Sequence, residues 1–223
     1  ALEGTGMGLM CGAQTAAFTA MTAMGYNDFL FQSLADPDLV MDLIKTIHDY
    51  CLKEMEMFLQ YPMDMMKVGS GIITTTGPMV SWDQVELLET SFLREQINII
   101  QDAGRYVYFH IDGKVDNLIP DFIKMGVDVL NPIDPSGGVQ DIYEIKHQYG
   151  SDITLAGNIN IDTVLKNGTP EEVRADVREH MIKLGKGGGY IVSSSHNLHE
   201  LIPVENYYAM RDAVMEYNLN LSS

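Results

Sequence analysis

At 223 residues and 46% hydrophobic content, the chain is long and apolar enough to bury a globular core. Its formal charge of −17 and pI near 4.5 argue against nucleic acid or an anionic membrane surface as a partner. Cys11 and Cys51 are the two cysteines and lie in no C-x-x-C pattern, which removes a disulfide framework and a cysteine-rich zinc site. No apolar run is long enough to cross a bilayer and no basic-then-apolar leader opens the chain, so a reducing cytoplasm is the expected compartment.

Residues 6–12 are short, apolar and glycine-rich, like the end of a strand, and the small apolar residues 13–24 predict a closely packed helix. Asp36-Pro37 joins an N-cap acceptor to a first-turn proline and starts a second helix. Val40, Leu43, Ile44, Ile47 and Cys51 form its apolar stripe, and Pro62 ends it. Residues 63–68 predict a strand, followed by a Gly- and Thr-rich loop over 69–78. Ser81 and Gln84 form a capping box that opens a helix reaching Ala103-Gly104.

The rhythm then becomes regular. Strands are expected over 106–112, 127–133, 153–158 and 190–194, and helices over 117–125 and 141–149. A further helix starts at Thr169-Pro170-Glu171-Glu172 and ends near the glycines at 187–189; a last one starts at Pro203. Such alternation implies βαβ units and a parallel sheet, either a (β/α) barrel or an open doubly wound sheet. The barrel is favoured, because no G-x-G-x-x-G follows a strand. Five strands are clear, with a further one near residues 6–11, short of the usual eight.

The stretch around which these elements gather is Y-V-Y-F-H-I-D-G at 106–113. Its first four residues suit a buried strand, and His110 and Asp112, two apart, project to one face. That makes a metal-ligand pair or an acid/base pair, against the plainer reading of an Asp-Gly turn at a strand end. Other polar residues end successive strands: Asn131 and Asp134, Asn158, then Ser195 and His196. In a barrel these ends converge on one mouth. Asn131 is a candidate catalytic residue at such an end, and Asn158 on its own reads as a turn-forming strand-end asparagine. His48, His147 and His180 are expected to face solvent from their helices, Glu86 and Glu89 to be surface charges, and His199 to lie in a surface loop. Thr74 to Thr76 belong to a loop at the same face, read as flexible rather than anion-binding.

The ordered series F-H-I-D-G at 109–113, V-L-N-P-I at 129–133, L-A-G-N-I-N at 155–160 and N-G-T-P-E-E-V at 167–173 resembles the uroporphyrinogen decarboxylase superfamily. G-G-Y-I-V at 188–192, S-H-N-L at 195–198 and P-V-E-N-Y-Y-A-M at 203–210 continue it, and D-F-L-F-Q-S-L-A-D-P-D-L-V at 28–40 matches more weakly. That superfamily also holds the corrinoid-linked methyltransferases, and Asn158 in G-N-I-N matches a family position, which implies a catalytic residue that binds substrate as the alternative to a turn-former. The resemblance implies an α/β fold of (β/α)8 TIM-barrel type, here incomplete, with about the last five or six βα units in a single domain over 1–223. The expectation is a truncated or processed form lacking the first strands.

The methyltransferase branch carries H-x-C on the strand at 106–112 and a further Cys near the last strand, both binding zinc. Asp112 and His196 stand at those positions here, and each is itself a metal ligand. The decarboxylase branch has a histidine in the loop matching His196. Its arginine- and carboxylate-bearing N-terminal segment has no counterpart in this chain, and Ala20 stands near its tyrosine. The expected activity is therefore methyl transfer, with His110, Asp112 and His196 holding zinc or another divalent metal. A small-molecule substrate and a corrinoid protein would be the partners, the corrinoid being supplied by that protein. The alternatives are porphyrinogen decarboxylation, as in porphyrin biosynthesis, and a non-catalytic partial barrel. Open sheet edges add a homo-oligomer or a complementing chain as an expected association.

Overall fold

The computed structural model describes residues 5–137 and 141–221. Its centre is a six-stranded parallel sheet whose strands lie side by side in chain order. These are β1 (Met10–Gln14), β2 (Met65–Ser70), β5 (Tyr106–Ile111), β6 (Val129–Asn131), β7 (Thr154–Ile159) and β8 (Tyr190–Ser194). Two-residue strands β3 (Ile73–Thr74) and β4 (Gly77–Pro78) form a small antiparallel hairpin after β2. The helices are α1 (Ala16–Met24), α2 (Tyr26–Ala35), α3 (Pro37–Leu59), α4 (Trp82–Val85) and α5 (Ser91–Asp102). They continue with α6 (Ile119–Met125), α7 (Ile142–Tyr149), α8 (Pro170–Leu184) and α9 (Val204–Leu221).

This is an α/β fold of TIM-barrel type that does not close: among the described residues, β1 and β8 do not pair with each other. No helix among the described residues is long and apolar enough to cross a membrane.

The two faces of the sheet have different jobs. Val68, Val107, Phe109, Ile111, Leu130 and Leu155 point to the helices and are buried in the main core. On the inner face Met65, Tyr108, Val129 and Ala156 pack as a smaller apolar layer. This alternation follows from the two-residue period of a strand, and it puts Lys67 and His110 on the inner face with Tyr108. Fully burying an aliphatic or aromatic side chain contributes roughly 1.5–3 kcal/mol, so the helix-side layer fixes which residues are left to face inward.

The helix starts agree with the capping signals. Asp36 caps α3 through Leu39 N, and Ser81 with Gln84, and Thr169 with Glu172, form complete capping boxes. The first helix begins three residues later than expected, because Thr15 caps it and 10–14 pairs with β2. Helix α2, which no pattern announced, starts directly after Gly25. The loop over 69–78 is held rather than free. Thr74 O accepts from Lys114 N at 2.9 Å, and a Cβ on Gly113 (φ 91°) would meet that same oxygen at 2.6 Å. Only glycine accommodates both constraints.

Three side chains expected at the surface are buried. His48 of α3 shares its helical face with Val40, Ile44, Cys51 and Met55, and its Nε2 lies 2.9 Å from Glu95 Oε2 of α5. His180 is enclosed between α8 and the sheet. Glu89 sits in a π-helical turn, Glu86–Thr90, whose extra residue turns the carboxylate inward, whereas Glu86 stays exposed. Burial pushes the Glu89 carboxyl up to about 7. The Ser70 and Thr15 hydroxyls pull the other way, yet neither Glu89 oxygen has a hydrogen bond of ordinary geometry.

A raised carboxyl stays protonated in the folded chain after its unfolded counterpart has ionised. Its penalty is absent below the ordinary value of 4.5 and grows as pH rises through about 7. Glu89→Gln should therefore stabilise the fold at pH 8, by on the order of 3 kcal/mol at most, and change little at pH 4.5. Urea unfolding at the two pH values measures this; equal effects at both would show that Glu89 does not titrate in that window.

Candidate metal centre

Three of the residues singled out in the sequence meet at the C-terminal ends of β5 and β8. His110 is the penultimate residue of β5, Asp112 follows that strand, and His196 lies two residues beyond β8. One ligand atom from each lies within 4.8 Å of the others. Asp112 Oδ2 is 3.5 Å from His110 Nε2 and 3.7 Å from His196 Nε2. Ligands about 2.0–2.1 Å from a tetrahedral ion stand roughly 3.3–3.5 Å apart; the two Asp112 distances match this, and the set as a whole, spread over up to 4.8 Å, would draw together around a divalent ion.

The tautomer of His110 is set by its neighbour. Asn131 is its partner across the β5/β6 ladder. The Asn131 amide nitrogen donates to Ala156 O at 3.0 Å, so the carbonyl oxygen faces His110 and accepts from Nδ1 at 2.6 Å. With Nδ1 donating to Asn131, Nε2 is the ring atom turned towards Asp112 and His196: protonated, it donates to Asp112, and without that proton it offers a lone pair to a metal. Such a hydrogen bond behind a ligating imidazole fixes its orientation and raises its basicity. Asn131, expected as a catalytic residue, therefore acts here by positioning His110.

Asp112 carries the site's negative charge. Burial would push its carboxyl up, but the hydrogen bond from His110 and the charges of His110, His196 and Lys67 outweigh it and hold the pKa below the ordinary value. Its Oδ1 is buried without a partner. An orphaned carboxylate oxygen beside two imidazoles is costly unless a cation or donor occupies the site. Exposure rises from His110 (19%) through Asp112 (35%) to His196 (45%), which leaves one side of the cluster open.

Asn158 is not part of this cluster. It is buried at the end of β7 and turned towards α8: its amide nitrogen donates to Ile133 O at 2.8 Å, and its oxygen accepts from His180 Nε2 at 2.9 Å. Both ends of the amide hold the framework, which corrects the expectation that it faces the barrel mouth. Asp134 Oδ1 caps the following turn through Ser136 N, and Ser195 is fully buried. His199 likewise serves its own loop, accepting from Leu201 N.

A cavity of about 180 Å³ lies against the cluster, lined by His110 and His196 together with Lys67, Tyr108 and Asn197. Lys67 and Tyr108 were passed over in the sequence. The signal was a lysine inside an otherwise apolar strand, M-M-K-V, in phase with the inward-facing residues.

An α/β enzyme fold with a ligand-like cluster at its strand ends agrees with what comparison with known proteins finds. The chain belongs to the uroporphyrinogen decarboxylase (URO-D) family, whose model matches residues 6–217. A uroporphyrinogen decarboxylase from Mannheimia succiniciproducens is 24% identical over 210 residues, covering 93% of this chain and 54% of that protein. Another from Actinobacillus succinogenes is 32% identical over 78 residues, 35% of this chain and 22% of that one. A methyltransferase from Methanosarcina mazei shares the fold with a TM-score of 0.74 at 16% identity, covering 94% of this chain and 58% of its own. The chain thus spans about half the length of these longer matches.

If Asn131 fixes the His110 ring, Asn131→Ala should weaken zinc binding about 10–100-fold while leaving the cluster's own residues intact. Competition against a chelator of known affinity measures it. Unchanged affinity in a folded variant would show that the hydrogen bond has no influence on His110.

Proposed function

We propose that this chain forms the substrate-activating site of a metal-assisted methyltransferase, with His110, Asp112 and His196 as the ligand set. The observation that supports this most directly is the orientation of His110, whose Nε2 is held towards two further ligand atoms by the hydrogen bond from Nδ1 to Asn131. His110, Asp112 and His196 would hold a divalent ion, which would supply Lewis acidity at the open side of the cluster, where a small substrate would bind. A separate corrinoid protein, docked over the barrel mouth, would supply the group that exchanges the methyl with that substrate.

The chain's own residues do the rest. His110 keeps its proton on Nδ1 and offers Nε2; Asp112 balances positive charge; His196, the most exposed of the three, stands at the entrance. Met65, Tyr108, Val129 and Ala156 form an apolar layer on the inner face beneath them. Two imidazoles and a carboxylate form a harder set than one containing thiolates, which favours a methyl donor bearing an ether or amine, or a folate acceptor, over a small thiol.

Decarboxylation of a porphyrinogen is the second reading, and the names of the curated relatives favour it. Metal analysis separates the two. Purified protein should carry or take up zinc near stoichiometry, and His110→Ala and His196→Ala should each lose it without losing fold. Full metal content in both variants would rule the ligand set out, and no metal uptake under any condition would favour decarboxylation.

Asp112→Cys recreates the H-x-C pattern of the methyltransferases. It should bind zinc more tightly and shift methyl transfer with free cobalamin towards thiols, followed by the cobalamin absorbance change. Equal rates for thiol and oxygen-bearing substrates in wild type and variant would show that this position does not set the preference.

A further inference from the structure

The inner face carries one charged group that the ligand set does not use. Lys67 lies in the middle of β2, beside Tyr108 in the β2/β5 register, with its stem over Gly12 of β1. It is half-buried, and among the described residues it makes no hydrogen bond and no ion pair within 4 Å. Asp112 is felt only at longer range, and its Oδ2 is directed at the two imidazoles instead. Burial lowers the pKa of the amine, with the charge of Asp112 acting against it. A half-buried ammonium whose nearest counter-charge, Asp112, is not in direct contact has donors left over for an arriving anion.

Lys67 opens onto the cavity of about 180 Å³ that His110 and His196 also line. Among the described residues, no carboxylate lines that cavity; Asp112 sits outside its wall. The Tyr108 hydroxyl has no hydrogen-bond partner among the described residues, so it is a second free donor there. At roughly 30 Å³ per water molecule, the space suits a ligand of about six heavy atoms.

From this juxtaposition we infer that Lys67 and Tyr108 form an anion subsite, and that the substrate is a small monoanionic carboxylate. Its carboxylate rests on the ammonium and its reacting atom is turned towards His110 and His196. One lysine offers a single point charge, which matches a monoanion. A dianionic phosphate would leave a charge uncompensated near Asp112, in a chain of formal charge −17. The subsite refines the methyltransferase reading and rests on it only for the identity of the reacting end.

The test uses methoxyacetate, a carboxylate carrying a methyl ether, and 2-methoxyacetamide, its neutral counterpart of the same size. Binding of each is measured by calorimetry to the chain with and without zinc. Wild type should prefer the acid by about tenfold in both forms, as expected for a charge-assisted hydrogen bond. Lys67→Gln, checked for fold by circular dichroism, should lose the preference, and Lys67→Arg should keep it. Should Lys67→Gln fail to fold, loss of the preference in Lys67→Arg would overturn the subsite and retention would support it.

Equal binding of acid and amide by wild type would overturn the proposal. So would an acid preference that appears only with zinc and survives in Lys67→Gln, since the metal would then be the anion's partner. An acid preference that depends on Lys67 in a chain taking up no zinc would uphold the subsite and remove the metal reading instead.

Discussion

The site depends on one hydrogen bond, from His110 Nδ1 to the Asn131 side chain, and on the sheet geometry that makes it unavoidable. His110 and Asn131 are register partners on adjacent parallel strands, and the Asn131 amide is anchored in turn on the Ala156 carbonyl of the next strand. Orientation is therefore relayed across β5, β6 and β7 before any ligand arrives. The same two-residue period that buries Phe109 and Ile111 against the helices turns Tyr108 and His110 inward. Moving β5 by one residue would bury the imidazole in the core and expose Phe109, a change the apolar layer opposes. Fold stability and ligand geometry are thus the same constraint.

Against that rigid back wall, the open side of the cluster explains how the chain is suited to chemistry. Three ligand atoms are set close together, yet exposure increases towards His196 and leaves room for a substrate. In the methyltransferase reading proposed above, a carboxylate and an imidazole stand where thiolates would, and a set without sulfur would favour harder donors without demanding a different backbone. The nearby ammonium of Lys67 adds a charge of opposite sign to Asp112, so the cavity beside the cluster has two chemically different ends.

Much of this was legible in the residues. Alternation of strands and helices, the capping boxes at Ser81 and Thr169, and the i, i+2 spacing of His110 and Asp112 all report local physics that the fold preserves. The pairing of His110 with His196 was legible only through family resemblance, because no local pattern joins positions 86 residues apart in one chain (196 − 110). Two errors had available signals. His48 is spaced four from Ile44 and three from Cys51, inside the apolar stripe of α3, and His180 lies in the same way among Val177, Met181 and Leu184 of α8. Glu89 had a weaker one, since the π-helical turn breaks the 3.6-residue period that would have placed it. The direction of Asn158 depends on His180, a contact between distant elements, and a strand-end asparagine alone does not reveal it.

The most direct test of the account is X-ray absorption at the zinc edge on zinc-loaded protein. The account predicts a first shell of nitrogen and oxygen at about 2.0–2.2 Å, with the outer-shell scattering of two imidazoles and no sulfur. Sulfur at about 2.3 Å, which would place the metal on Cys11 or Cys51, or an oxygen-only shell without imidazole, would contradict it.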